Sequence, residues 1–458
     1  MADPRDELDT WMRAQVPPLP PPPGTFELIR KRARRRKLTR AAAAAAGAAA
    51  VIAVIATVPR LVITQLNLGP GPARSGAQVG ETSSAGAHHH QRQASATPQP
   101  TPDTGPASTA PPPAPPNFAA TSVTFVGIDS GYVLGQAGTP GHCGPPKRYI
   151  CTSLAGTDDG GKTWHGVHAP VTGAAKGPTG VSQVRFYNTS DGWAFGPELW
   201  ATHNGGQSWQ QIDTGGRRVT ALETAGQRVF AVWAQCTGRG AAWAAGCTGQ
   251  TLEEAAPGGD RWAPAPGAGS LSLSGTASAA ALVLTGSRGY LLPPTGVLVS
   301  GPVSGAGGWA PVTGSAVPCL PGAAQPDGQP SGALLAAAGT SGLVLVCPDA
   351  AAGQVVYTSA DGGHTWQKAG TAPGMGTATS VTGTSTGSIV LATTAGIELS
   401  ADGGATWTAA QGTLPAGGFS YVGMTTASQG VAVPADPAVH AVWFSYDGGT
   451  TWQESPIN

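Results

Sequence analysis

Acidic side chains recur in this 458-residue chain at a spacing that asks for a chemical explanation. Thr157-Asp158-Asp159-Gly160-Gly161-Lys162-Thr163-Trp164 is followed by Thr202-His203-Asn204-Gly205-Gly206-Gln207-Ser208-Trp209. The later copies are Ser359-Ala360-Asp361-Gly362-Gly363-His364-Thr365-Trp366, Ser400-Ala401-Asp402-Gly403-Gly404-Ala405-Thr406-Trp407 and Ser445-Tyr446-Asp447-Gly448-Gly449-Thr450-Thr451-Trp452. Carboxylates at fixed places suit cation binding or proton transfer. A carboxylate repeated once per unit is better read as a construction element. Asp or Asn accepts hydrogen bonds from its own turn. Gly-Gly supplies the positive φ angles of a tight turn. The Ser and Thr hydroxyls satisfy leftover backbone groups, and Trp brings a large apolar face. No metal and no cofactor is expected at these turns.

Two decayed copies lie between, Pro257-Gly258-Gly259-Asp260-Arg261-Trp262 and Gly307-Gly308-Trp309. The seven tryptophans are then 45, 53, 47, 57, 41 and 45 residues apart. A period of about 40–50 residues belongs to propellers and solenoids. Within each unit, short apolar strands alternate with Asp/Ser/Gly turns, as in Val123-Thr124-Phe125-Val126, Asp129-Ser130-Gly131, Tyr132-Val133-Leu134. Trp193-Ala194-Phe195 and Glu198-Leu199-Trp200-Ala201 repeat the pattern, and the Trp is expected to begin a fourth strand. Four short strands per unit and no helical period predict an all-β fold, a seven-bladed β-propeller over 118–458.

These motifs resemble the Asp-box, or BNR, repeat of sialidases, sortilin-type ectodomains, some glycan hydrolases and photosystem II assembly factors. The resemblance implies that the motif is a hairpin between the third and fourth strands of a blade. It also raises a sialidase reading, in which three arginines clamp a carboxylate while a Tyr–Glu pair and an Asp do the chemistry. Bidentate recognition of that kind depends on Arg. The arginines from residue 118 onward are Arg148, Arg185, Arg217, Arg218, Arg228, Arg239, Arg261 and Arg288, so the last three units have none. The family's Arg-Ile-Pro motif is also missing. A two-carboxylate glycosidase would have Glu198, Glu223 and Glu398 to draw on. GxSxG and HExxH are absent. His203 and His364 occupy variable positions of the turns, which points to exposed surface.

The elements around the repeats set the topology. Ala41 to Val58 is uncharged and would span about 27 Å as a helix, close to one bilayer core. Arg30 to Arg40 carries eight positive charges just before it, which keeps residues 1–40 cytoplasmic. An n-region of that length argues against a cleaved signal peptide. Pro17 to Pro23 in that basic tail is a polyproline II segment that could dock on an aromatic groove. Residues 59–117, rich in Pro, Gly, Ser and Thr, form a disordered linker, and its His88-His89-His90 is read as incidental.

The chain holds 68 glycines, 42 prolines and no net charge, so nucleic acid is not an expected partner. Its six cysteines, Cys143, Cys151, Cys236, Cys247, Cys319 and Cys347, all follow the apolar segment. They are expected to form local disulfides in an oxidising compartment, with buried thiols as the alternative. The functional expectation is a non-catalytic extracytoplasmic interaction or sensor module for a protein or cell-envelope glycan. The glycosidase is one alternative. A transmembrane regulator signalling through the tail is another, since the layout resembles actinobacterial anti-sigma-type regulators. The zinc-binding His/Cys motif of those regulators is missing from residues 1–40.

Overall fold

Strand after strand turns back on its neighbour here, because short apolar runs are separated by Gly-containing turns. The computed structural model describes residues 111–137, 151–271, 273, 280–304, 307–319, 332–349, 353–372, 374 and 376–458. The chain divides into two units, Met1–Thr101 and Pro102–Asn458, and every described residue falls in the second. The expected span at 41–58, the tail at 1–40 and most of the linker therefore lie outside the described residues. Among the described residues no helix is long and apolar enough to cross a membrane.

The fold is all-β and antiparallel, in the manner of a β-propeller. Among the described residues the strands run in seven successive four-stranded meanders, 119–167, 183–212, 218–264, 281–311, 334–372, 378–409 and 419–456, called modules 1 to 7 below. Modules 5 and 6 are joined into one eight-stranded sheet by a parallel pairing of Ala338 with Gly383. The first strand of each module lies against the first strand of the next, and the first strand of module 1 touches the second strand of module 7.

Burial explains the sequence of each strand. Second strands such as Gly192–Phe195 and Gly430–Pro434 are buried along their whole length. They sit inside a sheet with another sheet over each face, so they read as unbroken apolar runs. Fourth strands are short and exposed, as in Gln210–Ile212. Each begins one residue after the recurring Trp, not on it, at His165, Gln210, Ala263, Ala310, Gln367, Thr408 and Gln453.

Among the described residues the core consists of seven apolar clusters, and each spans two consecutive modules with one recurring Trp in it. Trp209 packs with Leu134 and Leu154 of module 1. Trp262 packs with Trp193 and Phe195 of module 2, and Trp309 with Phe230 and Leu252 of module 3. Trp366, Trp407 and Trp452 repeat the arrangement against modules 4, 5 and 6. Trp164 of module 1 joins Val431, Val442 and Phe444 of module 7, and its Nε1 donates to Ser455 Oγ at 2.9 Å. The indole therefore wedges its own module against the preceding one, including across the seam between the last and the first.

Among the described residues two disulfides are present, Cys236–Cys247 and Cys319–Cys347. The third expected pair involves Cys143, outside the described residues. The chain also engages the sheet before residue 118. The Gly166 amide donates to Pro112 O at 2.8 Å, Pro113 bridges His165 and Ala114 is buried.

Candidate functional site

The recurring turns hold their carboxylates in closed local networks. In the first, the Thr157 hydroxyl donates to Asp159 Oδ1 at 2.9 Å and accepts the Gly161 amide at 2.9 Å. The Thr163 amide donates to Asp159 Oδ1 at 3.0 Å, and its hydroxyl to Oδ2 at 2.6 Å. The same pattern surrounds Asp361, Asp402 and Asp447. Asn204 reproduces it with its Nδ2 donating to Ser208 Oγ at 2.8 Å. The first glycine of each turn, Gly160, Gly205, Gly362, Gly403 or Gly448, donates its amide to the turn between the first and second strands of the same module. The second glycine has a role beyond its positive φ. A Cβ on Gly161 would lie 2.2 Å from the Phe444 ring, and one on Gly363 2.1 Å from Leu298. The backbone there presses directly on the preceding module.

These bonds acidify the carboxyls. At Asp159 burial pushes the group up, but the Thr163, Thr157 and Lys162 bonds outweigh it and hold the pKa at about 2. Asp361, led by the Thr365 amide, and Asp402, led by the Thr406 hydroxyl, also sit at about 2. Asp447 is lowered against burial by the amide and hydroxyl of Thr451. Oxygens so occupied are turn locks, and among the described residues no group of three or more His, Cys, Asp and Glu side chains could hold a metal ion.

A different cluster lies at the centre. First strands of all seven modules bound a cavity of about 830 Å³. Arg185 and Glu223 line it and pair with each other, Nε to Oε1 at 3.0 Å, with side chains 16% and 31% exposed. Arg185 Nη1 also donates to Val184 O at 2.8 Å and lies 3.5 Å from Ser122 Oγ. Burial works against the guanidinium charge, yet Glu223 and Tyr421 more than restore it and raise the pKa. Tyr421 lines the same cavity, and burial raises its pKa, so the phenol stays a hydrogen-bond donor at neutral pH. A Cβ on Gly423 would fall 2.4 Å from the Tyr421 hydroxyl, so this glycine clears the room for that ring. Hydroxyls stitch the inner strand edges nearby. Ser122 Oγ accepts the Val184 amide at 3.1 Å, and Thr379 Oγ1 donates to Phe419 O at 2.6 Å.

No family model matches the chain, and no curated protein matches it. Among solved structures, YCF48 bound to D1 peptide is similar at 16% identity, over 74% of this chain and 99% of that one, with a TM-score of 0.45. YCF48 from Cyanidioschyzon merolae is similar at 14% identity, over 64% and 87%, with a TM-score of 0.43. The GH74 enzyme of Niastella koreensis is similar at 14% identity, over 74% and 66%, with a TM-score of 0.36.

The other expected acids and bases are scattered. Glu198 Oε2 accepts bonds from Thr172 and from Trp200 Nε1, and Glu398 is buried in the third strand of module 6, where burial raises its pKa. Neither lines the central cavity. Arg217 pairs with Glu253, and Arg228 with Glu254. Arg218 holds the Gly238 carbonyl, and Arg288 Nη2 donates to Ser300 Oγ. Arg185 is the one arginine among the described lining residues, so no three-arginine clamp forms there.

His203 is exposed, as its variable position suggested, but it is not idle. Its Nδ1 lies 2.9 Å from Asp191 Oδ1, and its Nε2 lies 3.3 Å from Asp260 in the decayed turn of module 3. Burial opposes the charged ring, and the two carboxylates outweigh it to raise the pKa. Stability should therefore depend on pH with two opposite limbs. The aspartates have folded pKa values below their unfolded value of about 3.9, so their contribution is complete above that value and is lost as pH falls towards about 2. His203 contributes fully below its unfolded pKa of about 6.5 and loses that contribution as pH rises through its higher folded value. Denaturant midpoints measured from pH 2 to 9 should show both limbs, and His203→Gln should erase only the upper one. A His203→Gln curve parallel to the wild-type curve throughout would disprove a stabilising link from His203 to Asp191 and Asp260.

Proposed function

We propose that this chain is a seven-bladed propeller of the Asp-box type that serves as a non-catalytic interaction module for a protein or an envelope glycan. In this reading the 41–58 span and the 59–117 tether hold it outside the cytoplasm, with residues 1–40 inside. The blade count is supported by seven clusters among the described residues with one turn Trp each, one of the seven shared by modules 7 and 1. One observation carries the functional part. Glu223 is the only carboxylate among the described residues lining the central cavity, and it is paired with Arg185. Glycoside hydrolysis of the ordinary kind needs two carboxyls about 5–9.5 Å apart across the scissile bond, and here there is one, already neutralised. What is left is a rigid ring with broad faces, which suits binding.

The test uses the full chain in lipid nanodiscs against a panel of envelope glycans and cross-linked envelope proteins. Retention of a protein or glycan without release of sugar is the expected result. Sugar release that disappears in Glu223→Gln would sink the reading. A reporter fused after Asn458 and found active only in the cytosol would sink the placement outside it.

A further inference from the structure

The central cavity is lopsided in chemistry. Modules 7, 2 and 3 furnish its ionisable groups, Tyr421, Arg185 and Glu223, and module 1 adds Thr124. Modules 4 and 5 furnish aliphatic or small side chains, among them Val283, Leu334 and Ala337, while module 6 adds Thr379, Ser380 and Thr382. Arg185, Glu223 and Tyr421 are the only ionisable groups among the described lining residues. With the phenol protonated, the lining carries one positive and one negative charge, matched at 3.0 Å. Its volume of about 830 Å³ lies within the usual range for small-molecule sites, about 300–1,000 Å³.

Charge balance selects the ligand. An anion would have to compete with Glu223 for Arg185, and a cation would have to compete with Arg185 for Glu223. Either leaves an uncompensated charge in a partly desolvated space, which is costly. A neutral head that both donates and accepts avoids this. Glu223 Oε2 is left as an acceptor by the contact through Oε1. The Tyr421 hydroxyl bonds to no other described residue and is a donor. We propose that this cavity binds an uncharged small molecule with an aliphatic body and a carboxamide head, the head lying between Glu223 and Tyr421. This site is separate from the ring faces offered to a protein or glycan, and either can fail without the other.

A matched series of equal chain length tests it: pentanamide, pentanoate and pentylammonium, titrated calorimetrically into the full chain in lipid nanodiscs, with empty nanodiscs as the blank. Pentanamide should bind at least about tenfold tighter than either ion. Glu223→Gln leaves the Arg185 charge unmatched and should reverse the order in favour of pentanoate, an outcome that a purely structural ion pair would not produce. Tyr421→Phe removes a hydroxyl with no described partner, so it keeps the test open if the Glu223 variant does not fold. It should weaken pentanamide about fivefold and leave pentanoate unchanged. Ala337→Trp fills the cavity from the opposite wall and should abolish binding of all three. Equal binding of the three probes, no binding of any, or undiminished pentanamide binding by the Ala337→Trp or Tyr421→Phe protein would each overturn the proposal.

Discussion

Replacing Trp452 by Ala is expected to lower the unfolding free energy by about 3–5 kcal/mol, the range for deleting a large buried aromatic. Trp452 is 1% exposed and packs with Val390, Ala392 and Ile397 of module 6 and with Phe419, Val422 and Ala432 of module 7. Its Nε1 donates to Gly449 O at 2.8 Å, inside the turn that precedes it. Its backbone amide donates to Gln411 O at 2.9 Å, between the two modules. A cavity there cannot collapse easily, because the sheets on both sides are tied by their own ladders. Trp209 offers the contrast. It is only half-buried and is anchored through Nε1 to His168 O at 2.7 Å, so Trp209→Ala should cost about 2 kcal/mol. Denaturant unfolding of the two variants, with unchanged slopes, measures the difference. A loss at Trp452 no larger than an ordinary surface substitution gives, about 0.5 kcal/mol, would mean that the indoles are not the wedges between modules.

The parts of this architecture legible in the sequence are those with a fixed local period. Trp262 and Trp309 retained their places although their turns had lost the Asp, because the interface needs the indole even where the turn is locked differently. The strand pattern was legible for the same reason: buried second strands must be continuously apolar. Contacts between modules were not legible. Arg185, Glu223 and Tyr421 come from three inner strands, and alternation along a strand tells which residues share a face, not which face meets the cavity. The second glycine of each turn looked like a conformational requirement, yet Gly161 and Gly363 also make room for Phe444 and Leu298 of the preceding module. His203 looked like a variable turn residue. Its partner Asp260 stands in a turn that no longer uses an Asp for its own lock, and that displacement in the decayed motif was the one available signal.

Removing the Cys319–Cys347 bond is the second large effect to expect. The bond closes a loop of 28 residues between the connector after module 4 and the second strand of module 5. Loop-closure entropy of that length corresponds to roughly 3–4 kcal/mol. Cys347 is buried, and Cys319 packs against the cluster shared by modules 4 and 5, with Tyr290, Leu292 and Trp366. The double variant Cys319→Ala, Cys347→Ala should therefore unfold at a markedly lower denaturant concentration. Wild-type protein treated with reductant should fall at least as far. The Cys236–Cys247 bond spans 11 residues within module 3, a shorter loop inside one sheet, and the corresponding pair of alanines should cost less, at most about 3 kcal/mol. The comparison also bears on where the domain works. Disulfides persist chiefly in oxidising compartments, and the proposed placement outside the cytoplasm requires this bond to stay formed there. Identical unfolding curves with and without reductant would remove both the contribution of the bond and that bearing on location.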